Sequence, residues 1–345
     1  VVGKTHTVEY AFGGWGTNPV AGTPMNPHDP VTHRVPGGSS SGTGVAVGAG
    51  LVPIGFGTDT GGSVRLPASW CGTVGHKTSM GLVSRAGVVP LALHFDTIGP
   101  LARTVRDAAV MSQVMLGSDP ADGSTTGAPG LDLVGGIDGG VKGLTLGVLA
   151  IDPDVAVDSE VAARFDATVR ALEAAGARIV PVSLPETLMT YTSSCGELMM
   201  VEGAHHHGAL ARETPSRLGT WAARRIGGGF DIPATRYFAA VEARQARMAA
   251  AHGRLAGGGI DALVLPTTPA PAVPLSQVDE GGMPGIFTRF VNYLEWCGVS
   301  VPVGLTASGL PIGFQVVTPR FHDAMALRIA RAVETAAGGP LPLPV

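Results

Sequence analysis

Two glycine-rich loops carry the residues best suited to nucleophilic chemistry. One reads Gly37-Gly38-Ser39-Ser40-Ser41-Gly42, the other Asp59-Thr60-Gly61-Gly62-Ser63-Val64-Arg65, and in each a serine follows a glycine pair. A serine hydroxyl attacks an amide carbonyl near neutral pH only when a base takes its proton and nearby donors meet the charge growing on the carbonyl oxygen. Glycines tolerate positive φ, so successive N–H groups of such a turn can converge on one oxygen. The amides of Thr60, Gly61, Gly62 and Ser63 form a candidate donor set of this kind. A single glycine–serine stretch is more often a plain turn, and it is the ordered pair that points to a hydrolase.

The elements around the loops must bring them together. No charged residue lies between Val35 and Thr58. The small residues from Gly44 to Leu51 suit a closely packed helix, and Val52 to Gly57 a short buried strand whose exit delivers Ser63. Further on, Thr104 to Leu116 has helical spacing, Leu144 to Leu149 reads as a strand, and Ser159 caps a helix that Gly176 ends. Ile179 to Leu184 then completes a βαβ unit. Thr235 to Leu255 reads as a helix, followed by a strand at Ile260 to Leu265, strands at Val299 to Val303 and Ile312 to Val317, and a helix from His322 to Ala337. Alternating strands and helices predict an α/β fold with a sheet covered on both faces.

Composition excludes several function classes. Charged residues make up 14% of the 345, against about 25% in an average globular protein. With 45% hydrophobic residues and a net charge of −4, the chain is expected to fold throughout, as one domain. Lys and Arg number 23 against 27 acids without dense clustering, so nucleic acid is not an expected partner. The charge-free run at 35–58 contains too much Gly, Ser and Pro for a membrane span, and no secretory signal opens the chain. Cys71, Cys195 and Cys297 share no metal-like spacing and read as reduced, core-filling thiols of a cytoplasmic protein, with no metal site.

The pair GGSSSG and GTDTGGSVRLPA resembles the core of the amidase signature family. Upstream GKTHTVEYAFGGWGTNP, downstream GHKTSMGLVSRAGVV and LHFDTIGPLARTVRDAA, and the later IDALVLPTTPAPAVP and VSVPVGLTASGLPIGFQVV extend the resemblance. Correspondence is weak from Val155 to Gly258, where substrate choice is expected to reside. The resemblance implies a central mixed β-sheet with helices on both faces, in a single domain over 1–345. It also implies a small-molecule amide substrate and no metal or organic cofactor, and it allows a homodimer. Ser63 would be the nucleophile, the Thr60 to Ser63 amides the oxyanion hole, and Ser39 the bridging serine after a cis Gly38–Ser39 bond. The bridging serine would pass protons between Ser63 and a lysine kept neutral by burial. A carboxamide would thus become a carboxylate plus ammonia or amine through an acyl-serine.

The family's lysine lies further upstream of the first loop than this sequence reaches, and Lys4, Lys77 and Lys142 match other positions. The expectation is therefore a chain lacking the N-terminal segment that carries the base, its triad reduced to a dyad; recruitment of Lys77 is the lesser alternative, since structural lysines outnumber catalytic ones. Two rivals follow from the resemblance. One is the A subunit of an amidotransferase acting on misacylated tRNA in a multi-subunit complex, for which a YDG-like motif is expected where this chain has MMVEGAHHHGAL. The other is a catalytically inactive scaffold, motivated by the missing lysine.

Other features take plainer readings. GTGVAVGAG lacks a preceding strand and a later ribose-binding acid, which argues against a dinucleotide site. Arg65, Asp59 and Ser40 are expected to brace the loops or touch substrate. His205, His206 and His207 diverge on a helix and suit no single metal ion. Trp221, Phe287, Phe290 and Trp296 are candidates for an acyl pocket or for core, with Thr288 and Asn292 as weaker candidates.

Overall fold

The computed structural model describes residues 1–213 and 217–344. Its backbone order follows from apolar runs that alternate between two cores. In the strand Ala262–Pro266, Ala262 and Val264 enter one hydrophobic cluster while Leu263 and Leu265 enter the other, the two-residue period of a strand buried on both faces.

Eight strands form one mixed sheet: β1 (Ile54–Asp59), β2 (Val74–Lys77), β3 (Thr97–Ala102), β4 (Thr145–Leu149), β5 (Arg178–Val182), β6 (Ala262–Pro266), β7 (Cys297–Leu305) and β8 (Pro311–Thr318), in spatial order β1-β3-β2-β7-β8-β6-β4-β5. β4 pairs in parallel with β5 and β6, and every other pairing is antiparallel. Nine helices accompany the sheet among the described residues: α1 (Ser41–Gly48), α2 (Arg65–Cys71), α3 (Val105–Met115), α4 (Ser159–Ala174), α5 (Leu188–Ala211), α6 (Thr220–Gly227), α7 (Ala234–Gly258), α8 (Arg289–Tyr293) and α9 (Asp323–Ala336). Residues of α3, α4 and α9 share one cluster with the sheet; residues of α5 to α8 share the opposite one. The α/β expectation and the two covered faces are borne out.

The predicted βαβ unit is β4-α4-β5. Its helix is capped by Asp158, whose carboxylate accepts from the N–H groups of Glu160 and Val161, one residue before the expected cap at Ser159. Gly176 adopts φ +98° just past the helix, a conformation that glycine takes without strain. Cys71, Cys195 and Cys297 are buried and free. Burial pushes the Cys195 thiol up to about 12 and raises that of Cys71 further, so neither forms a thiolate near neutral pH.

Candidate active site

The second serine loop leaves β1 at Asp59 and enters α2 at Arg65, so a sheet strand and a helix hold its two ends. Those end residues meet. Both side chains are fully buried, and Asp59 Oδ1 lies 2.9 Å from Arg65 Nη2 while Oδ2 lies 3.0 Å from Nε, the two-point geometry that suits guanidinium to carboxylate. The same carboxylate accepts from the backbone N–H groups of Gly62 at 2.7 Å and Val64 at 3.1 Å. Burial alone would raise the Asp59 pKa, but the Arg65 guanidinium overrides it, helped by Lys77 and Asn292, and holds the carboxyl well below the usual range.

Residues near α8 complete the shell. Arg65 Nη2 donates to Asn292 Oδ1 at 2.7 Å, and Nη1 donates to Gln315 Oε1 at 2.7 Å and to the Thr288 carbonyl at 3.0 Å. Asn292 Nδ2 donates to Asp59 Oδ1, and Thr288 Oγ1 donates to the Gly61 carbonyl at 2.7 Å. Thr60 is anchored from the other side, its hydroxyl donating to Asp96 Oδ1 at 2.6 Å. Asp59 and Arg65 thus brace the loop, as does Thr288, which had looked a weak candidate.

This bracing narrows the expected oxyanion donors. The N–H of Gly62 points into the Asp59 carboxylate and is not open to a ligand, which removes Gly62 from the set. Among the described residues, the N–H groups of Thr60, Gly61 and Ser63 have no hydrogen-bond partner. Gly62 has φ +129°, and a Cβ there would lie 2.2 Å from Thr288 Oγ1, so any side chain at 62 would force the turn apart.

The first loop is joined directly to the second. The Ser40 N–H donates to the Ser63 carbonyl at 3.2 Å, and Ser40 Oγ both accepts from Thr58 N at 3.2 Å and donates to Thr58 O at 3.3 Å. Ser40 is therefore a brace. The one cis peptide bond among the described residues is Gly38–Ser39, where the resemblance placed it. Ser39 and Ser63 are both buried, and Ser63 opens onto a cavity of about 370 Å³.

Besides Gly61, Ser63 and Leu66, three separate stretches line that cavity: residues 11–15, residues 192–200 of α5, and residues 280–289, along with Arg225. Only the second stretch and Arg225 fall within 155–258. Of the aromatics read as pocket or core, Phe287, Phe290 and Trp296 take the core reading, fully buried where they pack against the sheet, and Trp221 faces Arg224 and Arg225. Phe12 and Trp15 line the cavity instead. Sequence reasoning missed them because nothing in a lone aromatic distinguishes wall from core.

No lysine lines the cavity among the described residues. Lys4 and Lys142 are exposed. Lys77 is fully buried, its Nζ donating to the carbonyls of Thr78 at 2.9 Å and Trp296 at 2.7 Å. Burial lowers its pKa to about 8 against the opposing pull of Asp59. Of the histidines, His205 is exposed, whereas His207 is buried with Nε2 2.5 Å from the Pro90 carbonyl; they do not converge. A tighter cluster, His76, Cys297 and Asp323, is buried away from the cavity, and Ser112 and Ser79 already engage its imidazole and carboxylate.

The sheet carries two linked serine loops, the second of them opening onto a pocket, and the similar proteins place the chain among enzymes of the hydrolase and amidotransferase type. The chain belongs to the Amidase family, whose sequence model matches residues 1–327. It is 37% identical over 360 residues to the A subunit of the glutamyl-tRNA(Gln) amidotransferase of Acidobacterium capsulatum, covering 97% of this chain and 75% of the relative. It is 36% identical over 346 residues to a 2-amino-5-chloromuconic acid deaminase of Comamonas testosteroni, covering 98% and 72%. The crystal structure of the corresponding glutamyl-tRNA(Gln) amidotransferase chain of Thermotoga maritima superposes with a TM-score of 0.86 at 34% identity, over 100% of this chain and 76% of that one. The family resemblance read from the two loops is thereby borne out.

Proposed function

We propose that the chain cleaves the C–N bond of a small carboxamide through an acyl-Ser63 intermediate. The observation that carries this reading is the position of Ser63: its residue opens onto the cavity while three unbonded N–H groups, those of Thr60, Gly61 and Ser63, remain in the same turn. Ser63 Oγ attacks the carbonyl carbon as its proton passes to Ser39, which in turn gives its own proton to the departing nitrogen. Collapse of the tetrahedral intermediate breaks the C–N bond as the departing nitrogen is protonated, and water then releases the carboxylate. Lys77, held by two carbonyls, takes no part in this relay.

The similar proteins support two physiological settings for such a site. Similarity to the A subunits of glutamyl-tRNA(Gln) amidotransferases supports a chain that frees ammonia from an amide donor within a complex serving tRNA. Similarity to the 2-amino-5-chloromuconic acid deaminase, whose named substrate is a small amino diacid and not an amide, supports a small acidic substrate taken without a tRNA-serving complex. A fluorophosphonate probe is expected to label Ser63, with the adduct mapped by mass spectrometry; labelling elsewhere overturns the assignment. Ammonia release from glutamine that rises on adding partner proteins and charged tRNA selects the first setting. Release from a small amide without them selects the second.

A further inference from the structure

Four charged side chains line the cavity: Glu197, Arg225, Glu280 and Arg289. Three are neutralised by partners. Arg225 Nη2 lies 2.8 Å from Glu280 Oε2, and its Nη1 donates to the Phe12 carbonyl at 2.8 Å. Glu197 is paired with Arg236. Arg289 stands apart, since its guanidinium has no ion pair and no hydrogen bond among the described residues.

The position of Arg289 is specific. Its Cγ would lie 3.3 Å from a Cβ built on Gly61, and its Nη1 3.4 Å from one built on Gly196. The side chain therefore runs between the proposed oxyanion turn and α5, beside the nucleophile. It is only partly exposed, and that exposure is to the cavity. A guanidinium in so enclosed a place, with five donors unused, is poorly solvated and lacks a counter-charge. The remaining wall near it is largely apolar, with Leu66, Met199 and Pro284.

We infer that Arg289 receives a carboxylate of the substrate, so that the preferred amides are short, mono-amidated dicarboxylic acids whose second acid group docks on this guanidinium. This deepens the proposed function and rests on it. The apolar wall accommodates the intervening methylenes, and the closeness of Arg289 to Gly61 requires the acid and the amide to sit in one small molecule. Arg289 is on this reading a specificity-determining residue, touching substrate but not the reacting atoms.

The test compares glutaramate with its neutral counterpart valeramide, using wild-type protein and the Arg289→Met and Arg289→Lys variants, with thermal unfolding to confirm folding. Charge-assisted hydrogen bonds are typically worth a factor of about 10 to 100 in binding. Wild type is expected to favour glutaramate, Arg289→Met to lower the ratio of kcat/KM for glutaramate to that for valeramide by about 10- to 100-fold, and Arg289→Lys to recover part of that ratio. Binding of glutarate, followed by calorimetry, supplies a readout independent of turnover, and it too should weaken by about 10-fold or more in Arg289→Met. Equal handling of the two amides by wild type, or glutarate binding unaffected by Arg289→Met, overturns the inference while leaving amide cleavage intact. Absence of Ser63 labelling together with retained, Arg289-dependent glutarate binding would instead defeat the proposed reaction and leave the anion site standing.

Discussion

The back of the second serine loop and the cavity in front of it treat arginine in opposite ways. Behind the loop, Arg65 is fully buried, and its donors reach Asp59, Asn292, Gln315 and the Thr288 carbonyl. In front, Arg289 meets no acceptor among the described residues. A cation whose every donor is taken up locally holds architecture; one whose donors face an enclosed space is prepared for an incoming acceptor. Burial alone does not distinguish them, and partner accounting does.

The contrast breaks most sharply if changes in front disturb folding or changes behind leave it untouched. Ser63→Ala should reduce kcat by about 10⁴-fold or more with the unfolding midpoint nearly unchanged, measured by ammonia release and calorimetry. Behind the loop, Asp59→Asn strands a buried guanidinium, and removing one partner of a buried pair typically costs about 3–5 kcal/mol; denaturant titration should register that loss. Because the Asp59 carboxyl is depressed in the folded protein, its stabilising contribution is complete above the unfolded value near 3.9 and fades as pH falls through the lower folded value. Wild type and Asp59→Asn should therefore converge in stability in acid.

Lys77 sharpens the same comparison from the alkaline side. Its folded value of about 8 lies below the unfolded 10.5, so between these pH values the unfolded chain holds the extra proton and stability gains about 1.4 kcal/mol per pH unit from this group. Relative to Lys77→Met, wild type should grow more stable from pH 8 to 10, and a flat difference would show that Lys77 has an ordinary affinity for its proton. The smallest effect falls on the seam between the two loops. A Cβ at Gly57 would lie 2.5 Å from Ser40 Oγ, so Gly57→Ala should cost about 1–3 kcal/mol as an overpacking change and slow turnover by moving Ser39 with Ser40.

The serine loops were legible because their chemistry is local: consecutive glycines, hydroxyls and a flanking charge lie within one short stretch. The strands β6 and β8 and the helix α9 announced themselves through apolar runs and helical spacing. By contrast, β2 carries His76 and Lys77, and β3 contains Gly99 and Pro100, so neither looked like a central strand, although both are held by antiparallel neighbours. α5 was read as helix only at His205 to His207, and its extent stayed hidden because it buries residues around much of its circumference, from Leu188 and Thr192 to Cys195 and Glu202, and so shows little one-sided periodicity. The cavity could not be read at all. Phe12, Met199 and Arg289 are unremarkable in their own segments and acquire meaning only when the fold places them around Ser63.

The grip of Ser40 on both polar groups of Thr58 has a practical corollary for engineering. Loop and strand form one rigid block, so randomising residues there would mostly yield misfolded clones. Libraries aimed at new substrates belong instead at Ser193 and Met200 of α5 and at Met283, where partly or fully exposed side chains border the cavity and can be exchanged without unseating the nucleophile.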